Sequence, residues 1–357
     1  MMNEFKQQDT RQNQPDKTAA DQYEQQWKQR QKWEMHMDRR HFSRIMLGLL
    51  LYTFISSGLQ LIFVYAIQNS GWNYEPYRNI LNMLLMLICM YVTALPVTAL
   101  YYRHVPKFGW LRHEHWEWKA WLVVYLIGSS MGYFGSIIGS LISSASGGAA
   151  ESYETLMDMI MSGNPFLTFL TVAVGAPIAE ELLFRKFFID RVIGYGEKMA
   201  VLLSGLLFGL MHGNFQQFFY AFALGCLFAY IYCKTGKIRY PIMFHMWINF
   251  RSSVLLPLLL RPVFSLVLSA DMELEQTELI LHIMQQPLML AACLLLCAYM
   301  IIEFITAVTG LVLFFVFKKY ICFYPGLRRL PGKQALTAAI LNPGMFAFLV
   351  LCIIEFF

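Results

Sequence analysis

Apolar runs of about twenty residues recur along this chain, and that recurrence constrains its fold more than any other feature. A helix rises about 1.5 Å per residue, so twenty residues cross a hydrocarbon layer of roughly 30 Å. Such runs cover residues 42–67, 80–102, 120–142, 166–189, 199–212, 218–233, 240–260, 287–317 and 335–357. They lack the two-residue alternation of barrel strands, and backbone polar groups in lipid must be satisfied within the protein, so each run reads as a helix. Composition agrees: 57% of residues are hydrophobic and only 14% charged, where soluble domains carry about 25% charged. The expected fold is all-α, a polytopic transmembrane helical bundle of eight or nine spans. The fifth run is short for a full crossing.

Charge orders these runs. Lys28, Arg30, Lys32, Arg39, Arg40 and Arg44 close a polar, Gln-rich arm, residues 1–41, read as solvated helix or disorder. Basic clusters follow the second, fourth, sixth and eighth runs: Arg103, Lys107 and Arg112; Arg185, Lys186 and Arg191; Lys234, Lys237 and Arg239; Lys318, Lys319, Arg328 and Arg329. The loops between carry acid instead: Glu151, Glu154 and Asp158, then Asp271, Glu273, Glu275 and Glu278. The positive-inside rule puts the N-terminus in the cytoplasm and the C-terminus outside, with the first span a retained anchor. The net charge of +5 is spread over helix ends, which argues for the lipid bilayer as partner and against nucleic acid. Seven cysteines without a CxxC pair read as core residues, so no structural disulfide is expected. His104, His113 and His115 stand among Trp110, Trp116 and Trp118, an interfacial belt rather than a metal site. The small residues of the third run, among them Gly128, Gly132, Gly135 and Gly139, suit close helix packing.

Against this apolar background, three groups of polar residues are expensive and therefore functional candidates. Glu180, Glu181 and Arg185 end the uncharged run 166–179. Glu181 and Arg185 are i and i+4 on one helix face and can pair, while Glu180 is rotated by about 100°. Phe208 and His212 repeat the i, i+4 spacing on the fifth run, and His245 and Asn249 on the seventh. At 1.5 Å per residue, Glu180 and His212 lie about 18–20 Å from the basic end and His245 about 12 Å, close enough to converge. Plainer readings exist for each: a lone His or Asn can simply bond a neighbouring helix, and the glutamates could be solvated at the end of a span.

A carboxylate in a dry cavity can act as general base. His212 could help position and deprotonate water, and His245 with Asn249 could donate to an oxyanion. Glu180, His212 and His245 could instead hold Zn²⁺ as a His₂Glu site, although HExxH is absent. Glu180-Glu181-x-x-x-Arg185, Phe208-x-x-x-His212 and His245-x-x-x-Asn249, in this order on separate helices, resemble the three motifs of the CAAX-protease and bacteriocin-processing (Abi) family of intramembrane proteases. The resemblance covers roughly residues 120–260. It implies that Glu180 activates water with help from His212, that His245 and Asn249 stabilise the oxyanion, and that Glu181 and Arg185 support the site. It leaves a metalloprotease and a glutamate-dependent enzyme both open.

The expected layout is a polar arm (residues 1–41), N-terminal transmembrane helices (42–119), an intramembrane protease core (120–260) and C-terminal transmembrane helices (261–357). The expected activity is endopeptidase action on a membrane-associated protein or peptide, in a multi-pass protein of a prokaryotic plasma membrane. The alternatives are a scaffold or bacteriocin-immunity protein binding through the same cavity, and a proton-coupled transporter.

Overall fold

A computed structural model describes residues 17–108, 112–147, 151–269, 285–327 and 332–356. Residues 1–16 of the expected arm, Trp110, the acidic Asp271, Glu273, Glu275 and Glu278, and Arg328 and Arg329 lie outside the described residues. The protein is an all-α, multi-pass bundle, with no strand among the described residues. The first helix, α1 (Lys17–Gln68), joins the rest of the polar arm to the first span without a break. Next come α2 (Glu75–Tyr102) and α3 (Trp118–Ala145). The short α4 (Glu151–Ser162) occupies part of the expected acidic loop. The centre of the chain holds α5 (Pro165–Tyr195), α6 (Glu197–Leu210), α7 (Phe215–Thr235) and α8 (Arg239–Val263). It closes with α9 (Pro287–Phe317), α10 (Gly332–Ile340) and α11 (Pro343–Phe356).

Seven of these helices are long and apolar enough to cross a membrane, or eight if α10 and α11 count as one bent span. Two expected runs differ in form. The fifth, now α6, has 14 residues, about 21 Å of helix, and is not among the spanning helices. The ninth is bent by 60° between its two halves. Asn342 stands at that bend: its amide caps the carbonyls of Ala338 and Ala339 and its Oδ1 receives Met345 N–H, while Pro343 cannot continue the ladder.

The loop before α3 holds the basic end together. Phe108 N–H donates to Asp190 O near the end of α5, and Glu114 N–H to Lys234 O near the end of α7, at 2.7 and 2.9 Å. The helices α5 and α7 therefore finish on the same side, and α6 runs counter to both. Lys234, fully buried, pairs with Glu197 at 2.7 Å. The same carboxylate receives Tyr324 N–H at 3.0 Å, so the loop after α9 is pinned to the start of α6. A single buried cluster runs through Leu49 of α1, Ala94 of α2, Phe188 of α5, Leu207 of α6, Ala229 of α7 and Phe348 of α11. It draws on all three expected membrane blocks. The small residues of α3 allow α7 to approach: a Cβ on Gly135 would fall 2.6 Å from Tyr220 Cα, and one on Gly139 2.6 Å from the backbone oxygens of Phe215 and Gln216.

Candidate active site

Helix α5 is not regular. Phe169–Gly175 and Leu182–Ile189 are wound in the wider π register, and the α-helical piece Ala176–Glu181 lies between them. Such bulges free carbonyls and re-aim side chains, and they are frequent at functional sites. Here the cause is readable. Ala176 N–H reaches back five residues to Thr171 O, so the next donor would serve Val172 O. That next residue is Pro177, which has no N–H. The orphaned Val172 carbonyl accepts from Asn249 Nδ2 of α8 instead, at 2.9 Å. Tyr91 Oη of α2 donates to Thr171 O at 3.0 Å.

Glu180 and Glu181 leave this short piece in different directions. Glu181 is fully buried, as is Arg185. Arg185 Nη2 donates to Glu181 Oε1 at 3.1 Å, and Arg185 Nε lies 2.8 Å from Oε2 as an ion-pair contact without hydrogen-bond alignment. Arg185 Nη1 donates to Ser204 Oγ of α6 at 2.8 Å, and Ser204 donates to Phe184 O at 3.0 Å. The guanidinium carbon sits 5.1 Å from the ring centre of Phe208 and 5.9 Å from that of Phe228. A sealed ion pair repays its desolvation only when its remaining donors find partners, and Ser204 and the two rings fill that role.

His245 is held between the two glutamates. Its Nδ1 is 3.1 Å from Glu181 Oε1. An ionised carboxylate only accepts, so the proton is assigned to Nδ1. Nε2 is then turned toward Glu180, 3.7 Å from Oε2. Phe228 stacks on the imidazole at 5.1 Å and Phe208 meets it edge-on at 5.7 Å. Phe208 is therefore a shared wall between Arg185 and both histidines. Glu180 itself makes no hydrogen bond among the described residues, and its side chain keeps 23% of its exposure.

His212 is set by the way α6 ends. Its N–H turns to Gly209 O at 3.2 Å, which leaves Phe208 O without the donor a continuing helix would supply. His212 Nδ1 fills the gap at 2.7 Å, and this bond leaves the Nε2 lone pair unused. Gly213 takes the left-handed turn at φ +64°. Asn214 closes it by donating to His212 O at 2.6 Å and to Gln217 Oε1 at 2.9 Å, and Gln217 Nε2 donates to Tyr220 Oη at 2.9 Å. The His212 ring meets Phe208 edge-on, with 4.9 Å between ring centres.

The structure thus gathers Glu180, Glu181, Arg185, Phe208 and His245 in direct contact, with His212 against Phe208 and Asn249 against the bulge of α5. Glu181 answers two partners, Arg185 and His245, where spacing shows only the first. The zinc set Glu180, His212 and His245 is not assembled in this structure: among the described residues no three His, Cys, Asp or Glu side chains converge to hold an ion. A cavity of about 450 Å³ lies between α1, α2 and α4, lined by Gln68, Arg78 and Asp158 among others, and includes no motif residue. Ser204 and Tyr91 carry no recognisable spacing. The i, i+3 series Asn214, Gln217 and Tyr220 would have been a usable signal for the turn.

Residues 162–251 match the family described as "Type II CAAX prenyl endopeptidase Rce1-like", a segment containing all three motifs. Among curated proteins, the chain is 31% identical over 107 residues to the "Putative membrane peptidase YdiL" of Bacillus subtilis (strain 168), which covers 29% of this chain and 42% of that protein. The chain therefore spans under half the length of the relative it matches. No solved structure matches it. Over the segment that carries the three motifs, the chain is thus similar to CAAX prenyl endopeptidases of the Rce1-like type and to a membrane peptidase relative.

Proposed function

We propose that this chain is an intramembrane endopeptidase that hydrolyses a peptide bond of a membrane-associated protein or peptide with water activated by Glu180. The observation that carries this reading is the asymmetry of the two glutamates. Glu181 is sealed and neutralised by Arg185, whereas Glu180 stays partly exposed within a spanning helix, with His245 Nε2 3.7 Å away and no hydrogen bond among the described residues. A carboxylate without its own cation at such a depth is costly to maintain and is a functional group by default.

The residues divide the reaction as follows. Glu180 accepts a proton from water, and the resulting hydroxide adds to the scissile carbonyl. The oxyanion receives hydrogen bonds from the second amide N–H of Asn249, whose first is anchored on Val172 O, and from a protonated His245 Nε2. Collapse of the tetrahedral intermediate breaks the C–N bond, and the proton held by Glu180 passes to the leaving amine. His212 Nε2 orients the water. Arg185 and Glu181 fix the His245 ring. In this reading the basic end of the bundle, with the polar part of α1, faces the cytoplasm.

The test uses the purified protein in proteoliposomes with a farnesylated peptide ending in a CaaX sequence and a matched unprenylated peptide. Glu180→Gln is expected to abolish cleavage and leave the melting temperature within about 2 °C, because Glu180 carries little of the packing. Full cleavage by folded Glu180→Gln protein would overturn the hydrolase reading and favour a binding scaffold.

A further inference from the structure

A second charged pair lies inside the bundle, outside the three motifs. Glu303 is the one charged residue among the 31 of α9. Arg251 Nη2 of α8 reaches its Oε2 at 2.9 Å, and the two side chains keep only 13% and 14% of their exposure. Arg251 Nη1 donates to Tyr125 Oη of α3 at 3.1 Å and, more weakly, to Ser129 Oγ of the same helix at 3.4 Å. One guanidinium therefore ties α8 to both α3 and α9. Its three partners all lie outside residues 162–251, the segment matched to the endopeptidase family.

Adhesion alone does not explain this cluster. An ion pair withdrawn from water adds little or no net stability over apolar side chains of similar size. Helix α9 already lies against the backbone of α3, since a Cβ on Gly310 would overlap Leu126 O. What apolar packing does not supply is direction. A planar guanidinium held by groups on two helices sets a rotation as well as a distance. That rotation matters at this level of α8. Asn249 Nδ2 donates to Val172 O of α5 at 2.9 Å. Two residues on, Arg251 leaves the helix about 200° away, toward α3 and α9. Between these two residues the helix passes from α to π register, Arg239–Phe250 being α and Arg251–Leu255 π. Such a junction is a place where a helix can bend, and here it is clamped from opposite faces. Resting on the peptidase reading above, we propose that Arg251 and Glu303 are positioning residues: their pair locks the rotation of α8, so that the Asn249 amide stays on Val172 O with its second N–H free for the carbonyl oxygen of the scissile peptide. The pair exchanges no proton with the substrate.

Arg251→Met removes the fork and keeps much of the stem. It is expected to lower kcat roughly 10- to 100-fold with KM within about twofold, the pattern of a group displaced in the transition state. Asn249→Ala is expected to lower kcat about 100-fold. Adding Arg251→Met to it should cost nothing more, because the amide that Arg251 positions is gone; a merely structural residue would lower kcat again. Multiplied losses, or full kcat in folded Arg251→Met protein, would overturn the assignment and leave the peptidase reading intact, provided Glu180→Gln is inactive. Arg251→Met combined with Glu303→Leu strands no charge, and it takes the place of the single variant in every comparison if that variant does not fold. If the parent protein cleaves neither peptide, the peptidase reading fails on its own, and melting decides the lock. The melting-temperature shifts of Arg251→Met and Asn249→Ala are expected to be non-additive, since one contact weakens when the other is lost. Additive shifts would overturn the lock.

Discussion

Replacing Arg185 by methionine probes the most buried charge of the site. The side chain keeps much of its volume, but the guanidinium is lost, together with its hydrogen bond and ion-pair contact to Glu181 and its bond to Ser204. Ser204 retains Phe184 O as an acceptor, so most of the damage falls on Glu181. That carboxylate is fully buried and would keep only His245 Nδ1 as a partner. Removing one member of a buried ion pair costs about 3–5 kcal/mol. At about 2 °C per kcal/mol for a chain of this size, the melting temperature should fall by roughly 6–10 °C. Cys89, Cys233 and Cys352 are buried free thiols, so a thiol-reactive dye in detergent reports the transition. Adding Glu181→Leu removes the stranded charge, and the double variant should recover most of the lost stability. It should not recover peptide cleavage, because His245 loses the acceptor that fixes its ring. The reasoning fails if Arg185→Met melts within 2 °C of the parent, or if the double variant is no more stable than the single one.

Four further perturbations follow from the same packing. Pro177→Ala supplies an N–H to Val172 O and competes with Asn249 for it. Cleavage should drop while melting holds or rises; equal cleavage would show that the proline-freed carbonyl does not position Asn249. Asn249→Ala leaves Val172 O without its donor, and calorimetry should register a loss of about 1–3 kcal/mol. Gly139→Val places methyl groups against the backbone of Phe215 and Gln216, so it should push α7 from α3 and lower both the melting temperature and cleavage by disturbing the His212 turn. Unchanged melting would contradict the close approach. Lys234→Met takes from Glu197, which is 2% exposed, its nearest cation and leaves it Arg112 at 3.8 Å, which loosens the carboxylate that anchors Tyr324 N–H. Limited proteolysis should then cut near residues 318–327 faster than in the parent.

Much of this protein is legible in its sequence for one physical reason. Lipid satisfies no backbone polar group, so each apolar run had to become a helix, and each ionisable residue inside a run had to have a use. That logic is enough to expect an all-α, multi-pass bundle, and it singles out Glu180, Glu181, Arg185, His212, His245 and Asn249 from residue type and i, i+4 spacing. Arg185 meeting Glu181 is a contact within one helix, and local spacing decides it. Helix length also follows from sequence, so the 14 residues of α6 already mark it as short.

The rest depends on which helices face one another, and no local pattern encodes that. Glu181 takes His245 as well as Arg185 because α8 packs beside α5, 64 residues away in the chain. Asn249 finds Val172 O because the π register of α5 happens to deliver Pro177 where a donor was due. The end of α6 turns the His212 ring back onto its own helix. Sequence determined which costly groups the membrane would have to accommodate. Tertiary structure decided which were neutralised and which was left free, because the cost of a buried charge depends on partners brought from distant helices.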